Sequence, residues 1–328
     1  WSRFVRKLHN LKKYKIIVSG SSAKLLGKEI ATELRGRYRS IFVSPFSFME
    51  FLDMKGFVYT KKTEWSAKKG VLLRYFQQYL TQGGYPEIIL EDDESEKREK
   101  IQSYYQTIFY KDIVERHQIT NHTVLEQLMH YLLNNTARVF SITQFERLMK
   151  GKGIAVSKKT ISLYMKYLEE AFFAFVVEEF AYSAKKRLMR PKKVYMVDTG
   201  LVTFLSSQMS PDKGRLLENC VLLEYKRRGE KVYFYHSDRE CDFVIQKRQK
   251  ITEAVQMCYA LETHNEKREI QGLLKAMNMF KLKQGLLLTY DQEKQLQRQG
   301  KKYRFCRSGS GYWRNNLLNH SLQVSTNH

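Results

Sequence analysis

Cysteine is scarce in this sequence. Cys220, Cys241, Cys258 and Cys306 are the 4 cysteines of 328 residues, they stand far apart, and no C-x-x-C pair occurs; the 8 histidines form no H-E-x-x-H. This usage excludes a disulfide framework and a structural zinc site, and it is what a reducing cytoplasm favours. Long apolar runs are missing too. No stretch approaches the ~20 apolar residues of a membrane helix, and no charged, apolar, small-residue leader pattern precedes the first periodic segment, so no membrane partner is expected. Acidic residues are in deficit: 57 Lys and Arg stand against 34 Asp and Glu, a formal charge of +23. An excess of that size marks either a polyanion partner or an unusually basic solvated surface.

What is present suffices for a folded chain. Hydrophobic residues make up 43% of the sequence, enough for two or three modest cores, and 28% of the residues are charged. Basic residues concentrate between Arg147 and Lys193, where 12 Lys or Arg meet only 4 Glu.

The run KYKIIVSGSSAKLL, Lys13 to Leu26, reads as a buried strand (Ile16, Ile17, Val18) ending in a Gly-Ser-Ser turn that opens a helix. LRGRYRSIFVSPFSFMEFL follows. Further along come YLTQGGYPEII at 79–89, YYQTIFYKDIVERH at 104–117, VSKKTISLYMKYLEEAF at 156–172, KKVYMVDTGL at 192–201 and GRLLENCVLLEYKRRG at 214–229. Together these segments resemble the bacterial and archaeal AAA-type ATP-binding family, whose members carry a carboxyl-terminal domain of unknown function. The resemblance covers nearly the whole chain.

It implies an ATPase that binds ATP and Mg²⁺ in its intact form, with a G-x-x-x-x-G-K-[ST] loop and an acidic strand end upstream of Trp1. Neither motif is in these 328 residues. That loop supplies the N–H cradle, the phosphate-binding Lys and the Mg²⁺-binding hydroxyl, so no cofactor is expected for this chain alone. The opening at Trp1, without an initiator Met, leads to the expectation of a fragment. Within the ATPase remnant the resemblance assigns Ser21 and Ser22 to a polar sensor and Arg35 and Arg37 to charge stabilisation; helix capping and a solvated turn are the plainer readings of the same residues. GGYP, Gly83 to Pro86, reads as a turn between two lid helices. EDDESEKREK at 91–100 reads as a solvated linker or helix start. Tyr104, Tyr105, Phe109 and Tyr110 share a helix whose spacing suits core packing better than base stacking.

The basic segment has the pattern of a winged helix-turn-helix. A helix at 123–135 carries Val124, Leu125, Leu128, Met129, Leu132 and Leu133 at 3.6-residue spacing. Ser141 caps a second helix stopped by Gly151 and Gly153, and Ser157 caps a third whose Ile161, Tyr164, Met165 and Leu168 face inward. FFAFVVEEFAYS and KKVYMVD then serve as wing strands joined by the basic turn AKKRLMRPKK. In such a module the third helix enters a major groove. The expected DNA contacts are Lys158, Lys159, Lys185, Lys186, Arg187 and Arg190, against the alternative of a helical module for a protein partner.

Downstream, a helix at 213–228, strands at 231–236, 241–246 and 251–259, a helix near 266–280 and a strand at 285–290 give an α-β-β-β-α-β order that resembles the restriction-endonuclease-like core. In nucleases of that fold a helix Glu, a strand Asp and an E-x-K bind Mg²⁺ and align water. The corresponding residues here are Glu218, Asp242 and Gln256, but Cys258 stands where the Lys belongs. Lys247 and Lys250 on the neighbouring hairpin are the nearest substitutes. No set of residues is assigned to a metal.

The expected fold class is therefore α/β plus α. Residues 1–60 form the end of an AAA-type P-loop NTPase core, 61–100 a helical lid and linker, 101–200 a winged helix, 201–303 a degenerate restriction-endonuclease-like domain and 304–328 a tail. The expected function is that of a fragment of a cytoplasmic, DNA-interacting AAA-type ATPase, itself inactive. A non-catalytic DNA- or protein-binding module and a metal-dependent nuclease are the alternatives. A homo-oligomer is compatible with the resemblance.

Overall fold

The computed structural model describes residues 2–20, 39, 41–60, 63, 67–208, 211–292, 295–298 and 301–307. In chain order, the helices α1 (Ser2–Asn10), α2 (Phe48–Met54), α3 (Lys69–Gln82), α4 (Pro86–Leu90) and α5 (Glu94–Thr107) come first. A wider π-type turn, Ile108–Glu115, prolongs α5, and α6 (His122–Asn134) follows. Then come β1 (Arg138–Phe140), α7 (Ile142–Gly151), α8 (Lys158–Glu170), β2 (Ala174–Glu178), α9 (Ala184–Met189), β3 (Lys192–Met196), α10 (Thr199–Leu205) and α11 (Lys213–Arg227). The chain closes with β4 (Lys231–His236), β5 (Glu240–Lys247), β6 (Lys250–Met257), α12 (Thr263–Met279), β7 (Gln284–Thr289), β8 (Gln295–Arg298) and β9 (Lys301–Arg307).

Two compact units result, each discontinuous in sequence. The first takes residues 1–44, 102–129 and 142–175, the second residues 45–101, 130–141 and 176–328.

In the first unit the predicted apolar stripes are buried, Val124, Leu125, Leu128 and Met129 of α6 and Ile161 and Leu168 of α8, and Phe145 and Met149 of α7 are buried as well. Ser157 caps α8 as expected, its side chain accepting from the Thr160 N–H. Tyr105 and Phe109 stack at 6.3 Å inside this core, whereas Tyr110 is exposed. The expected strand at Ile16–Val18 is a correction. These residues form no strand and are unpaired among the described residues, and Ile17 is 84% exposed. An apolar β-branched run becomes a buried strand only where neighbours complete its ladder and cover its faces.

Two sheets form, both in the second unit except for the first two residues of β2. β1, β3 and β2 form the smaller, in that order. The larger runs β4-β5-β6-β7-β9-β8; β4, β5 and β6 are an antiparallel meander, β7 is parallel to β6 and to β9, and β8 closes antiparallel on β9. A parallel neighbour requires a crossover, and α12 provides it by packing on β5, β6 and β7. Cys241, Val244, Ala254, Ile270, Leu273, Ala276, Met277 and Leu287 fill the layer between helix and sheet. The expected tail at 304–328 is corrected in its first residues, because β9 continues to Arg307 as a paired inner strand.

The charge run at 91–100 is a helix start. The Asp93 carboxylate accepts from the Ser95 and Glu96 N–H groups, and α5 begins at Glu94. The expected basic turn at 184–193 instead forms the short helix α9, with the Ser183 side chain accepting from Lys186 N–H.

Candidate functional site

Register and helix phase bring three of the predicted residues together in the second unit. Phe243 pairs with Val255 and Val244 with Ala254 across β5 and β6, which sets Asp242 beside Gln256. On α11, Asn219 locks the helix to β3: its side chain accepts from the Met196 N–H at 2.8 Å and donates to the Met196 carbonyl at 2.9 Å. The Thr136 hydroxyl donates to the same Asn219 oxygen at 3.0 Å. Glu218, one residue earlier, is thereby held at the sheet. Lys193 and Tyr195 lie two apart on β3 and so share a strand face.

That face completes the cluster. The Lys193 ammonium, its side chain 3% exposed, lies 2.6 Å from Glu240, 3.0 Å from Glu218 and 3.5 Å from Asp242. The Tyr195 hydroxyl donates to the Glu218 oxygen that Lys193 also binds, at 2.6 Å. The other Asp242 oxygen accepts from Met257 N–H at 2.9 Å. The charges are unbalanced, three carboxylates against one ammonium. Burial alone would push the Lys193 amine down, but Glu218, Asp242 and Glu240 outweigh it and hold the group protonated. Burial, with Glu218 next, drives the Asp242 carboxyl well above the usual carboxylate range, and burial raises the Tyr195 phenol.

A cleft of about 610 Å³ opens on this cluster, with Arg215, Arg239, Asn265, Arg268 and Glu269 among its walls. Gln256 is committed on both sides of its amide: it accepts from Asp242 N–H at 3.3 Å and donates to Glu269 at 2.8 Å, while Arg268 binds Glu269 at 2.5 Å. The Cys258 thiol donates to the Ala260 carbonyl at 2.9 Å, and burial pushes it up to about 11. It is neutral at physiological pH and supplies no cation. Among the described residues, no group of three or more His, Cys, Asp or Glu is placed to hold a metal ion.

The substitute lysines named from the sequence do not reach the cluster. Lys247 pairs with Glu253 at 2.9 Å and Glu230 at 3.4 Å, and Lys250 faces Lys247 across the hairpin end. Lys193 is the residue that sequence reasoning missed. The signal was a lysine inside an otherwise buried strand, KKVYM, where a charge requires a partner.

A second buried carboxylate grips the glycine turn. Asp198 accepts from the Gly84 N–H at 2.6 Å and, as N-cap of α10, from the Gly200 N–H at 2.8 Å. Burial raises its pKa to about 6. Gly83 has φ +80°, and a Cβ there would run into the Asp198 carboxylate, so both conformation and space require glycine. GGYP is the turn expected, with a carboxylate ligand that the sequence did not disclose.

Of the six basic residues assigned to DNA, Lys158, Lys159, Lys185, Lys186 and Arg190 are exposed and Arg187 is half-buried. Lys158 and Lys159 open α8 in the first unit, and Lys158 makes a 3.7 Å pair with Glu146; Lys185 and Lys186 lie on α9 in the second. Arg187 and Arg190 also make contacts within the chain. Arg187 donates to the Ala181 carbonyl at 2.8 Å and lies over the Tyr233 ring, and Arg190 is ion-paired with Glu179, so both hold the β2–α9 connection. Ser21, Ser22, Arg35 and Arg37 lie outside the described residues. No described helix is long and apolar enough to cross a membrane.

Comparison with known proteins agrees with the first part of this reading. Residues 1–52 match the model of an AAA domain, and residues 73–212 match a domain of unknown function (DUF8612). An uncharacterized protein of Methanocaldococcus jannaschii is 38% identical over 300 residues, covering 89% of this chain and 66% of that protein. An uncharacterized protein of Haemophilus influenzae is 27% identical over 282 residues, covering 86% of this chain and 68% of its own length. The chain thus spans about two thirds of these relatives. No solved structure matches it. The amino-terminal region is AAA-type ATPase-like.

Proposed function

We propose that this chain is the DNA-engaging part of an AAA-type ATP-binding protein, and that its α11–β4–β5–β6–α12–β7 region is a restriction-endonuclease-like fold retained without cleavage chemistry. The fold reading is supported by the antiparallel β4-β5-β6 meander, the α12 crossover into parallel β7, and the meeting of Glu218, Asp242 and Gln256 at one end of it. The observation that carries the non-cleaving reading is the state of positions 256 and 258. The first is a neutral amide bound to Glu269, the second a neutral thiol, so neither adds charge for a metal or aligns a water.

DNA contact is assigned to Lys158 and Lys159 at the start of α8, and to Lys185 and Lys186. A winged helix-turn-helix is supported by the order α6-β1-α7-α8-β2-α9-β3, in which α9 interrupts the two wing strands, and by the strand order β1-β3-β2. ATP and Mg²⁺ belong to the AAA-like region of the whole protein, with Ser21, Ser22, Arg35 and Arg37 as its sensor and charge-stabilising candidates.

The nuclease-like fold implies a second Mg²⁺ between Glu218 and Asp242, and the residues present do not fit it. The space that such an ion would take holds the Lys193 ammonium. The test of this function is a pair of assays on one preparation. Duplex binding is expected to weaken steeply with salt, and plasmid incubated with Mg²⁺ or Mn²⁺ is expected to remain supercoiled. Salt-insensitive binding, or nicking that Asp242→Ala abolishes, contradicts it.

A further inference from the structure

We infer that Lys193 is the resident cation of the three-carboxylate site, standing where a divalent ion would sit, so that the wild-type site is closed to metals by its own side chain. The inference rests on the non-cleaving reading above and deepens it. Mg²⁺ takes oxygen ligands at about 2.0–2.1 Å in near-octahedral order and keeps several waters. The cluster offers the reverse: its oxygens converge at 2.6–3.5 Å on a nitrogen, which is hydrogen-bond geometry. A second cation among the same oxygens would be repelled by the ammonium at short range.

The surroundings hold the oxygens to that ammonium. Tyr195 donates to the Glu218 oxygen that binds Lys193, and Met257 N–H takes the Asp242 oxygen that Lys193 leaves. Gln256 is turned away to Glu269. Glu240 makes the shortest contact with the ammonium, 2.6 Å, and stands at the start of β5 with a third of its side chain exposed toward the cleft. It is an additional anion, outside the Glu, Asp and Gln set read from the sequence, and it answers the added lysine. Lys193 and Glu240 together thus replace one divalent ion by a lysine and a third carboxylate.

Removing the ammonium leaves three converging carboxylates beside a cleft of about 610 Å³. Three such carboxylates supply the oxygen ligands that hard cations take, once the side chains close on the space that the ammonium leaves. The experiment is a Mn²⁺ titration of the full chain, with bound ion counted by electron paramagnetic resonance. The wild type is expected to show no saturable site that depends on Asp242. K193M is expected to bind one Mn²⁺ at least tenfold more tightly than wild type and to gain melting temperature with the ion, and K193M/D242N is expected to lose both. K193Q, which keeps a hydrogen-bond donor and removes the charge, serves where K193M does not fold. Saturable wild-type binding abolished by D242N overturns the inference with no further variant needed, as does a folded K193M or K193Q that binds no better than wild type. Plasmid nicking reads the parent proposal separately: wild-type Mn²⁺ binding without nicking sinks only the present inference.

Discussion

Asp198 shows at the scale of one residue how a buried charge couples structure to pH. Its two oxygens hold the Gly84 and Gly200 N–H groups, and burial lifts its pKa from the ordinary 3.8 to about 6. A carboxyl whose folded pKa is raised contributes stability at low pH that is lost as pH rises through the folded value, because the folded state binds the proton more tightly. The window is therefore about pH 4 to 6. From this group alone, folding is favoured at pH 5 over pH 8 by about 1–2 kcal/mol. Asp198→Asn has no such dependence and removes one of the two acceptors. Its deficit against wild type, measured by urea unfolding, is expected to be larger at pH 5 than at pH 8 by that amount. A pH-independent deficit contradicts the assignment. The grip itself was not legible beforehand: Gly83 and Gly84 announce a turn, but the carboxylate that needs them lies 114 residues away in sequence.

Elements were more legible where their own periodicity or capping decided them. α8 begins after Ser157 and buries Ile161 and Leu168 as its 3.6-residue pattern requires, and the strands at Lys231–His236 and Gln284–Thr289 fall where their apolar runs end at turns. Ser157→Ala is expected to cost about 1 kcal/mol in a thermal or urea melt, the usual value of a lost N-cap. The run at Ile16–Val18 failed because a strand is decided by its neighbours, and α9 appeared in an expected turn because Ser183 supplies a cap. The site was legible in part. Glu218, Asp242 and Gln256 meet as their order along the chain suggested, whereas Lys193 and Glu240 enter through sheet geometry that no local pattern encodes. Asn219 is the joint that makes this geometry. Its side chain is fully buried and satisfies both backbone groups of Met196, so Asn219→Ala leaves a buried donor and acceptor unpaired. A loss of about 2–4 kcal/mol is expected from urea unfolding, and a neutral substitution would remove Asn219 from this role.

For the whole molecule the net charge of +23 is the dominant quantity, and its use depends on which basic groups are free. Arg187 and Arg190 make contacts within the chain, and Lys158, Lys159, Lys185, Lys186 and Arg190 are exposed. Replacing Lys158 and Lys159 by Ala is expected to reduce the slope of log affinity against log salt for duplex DNA by about 2, near one per lysine, with little change in melting temperature. An unchanged slope would remove these two lysines from the DNA contact. The proposed function combines DNA contact through exposed lysines with a nuclease-like site closed by Lys193. It is tested most directly by mixing the wild-type chain with supercoiled plasmid in Mg²⁺ and in Mn²⁺ and resolving the products on native and denaturing gels. Retarded but intact plasmid in both metals is the predicted result; nicked plasmid that reverts to supercoiled with Asp242→Ala would contradict it.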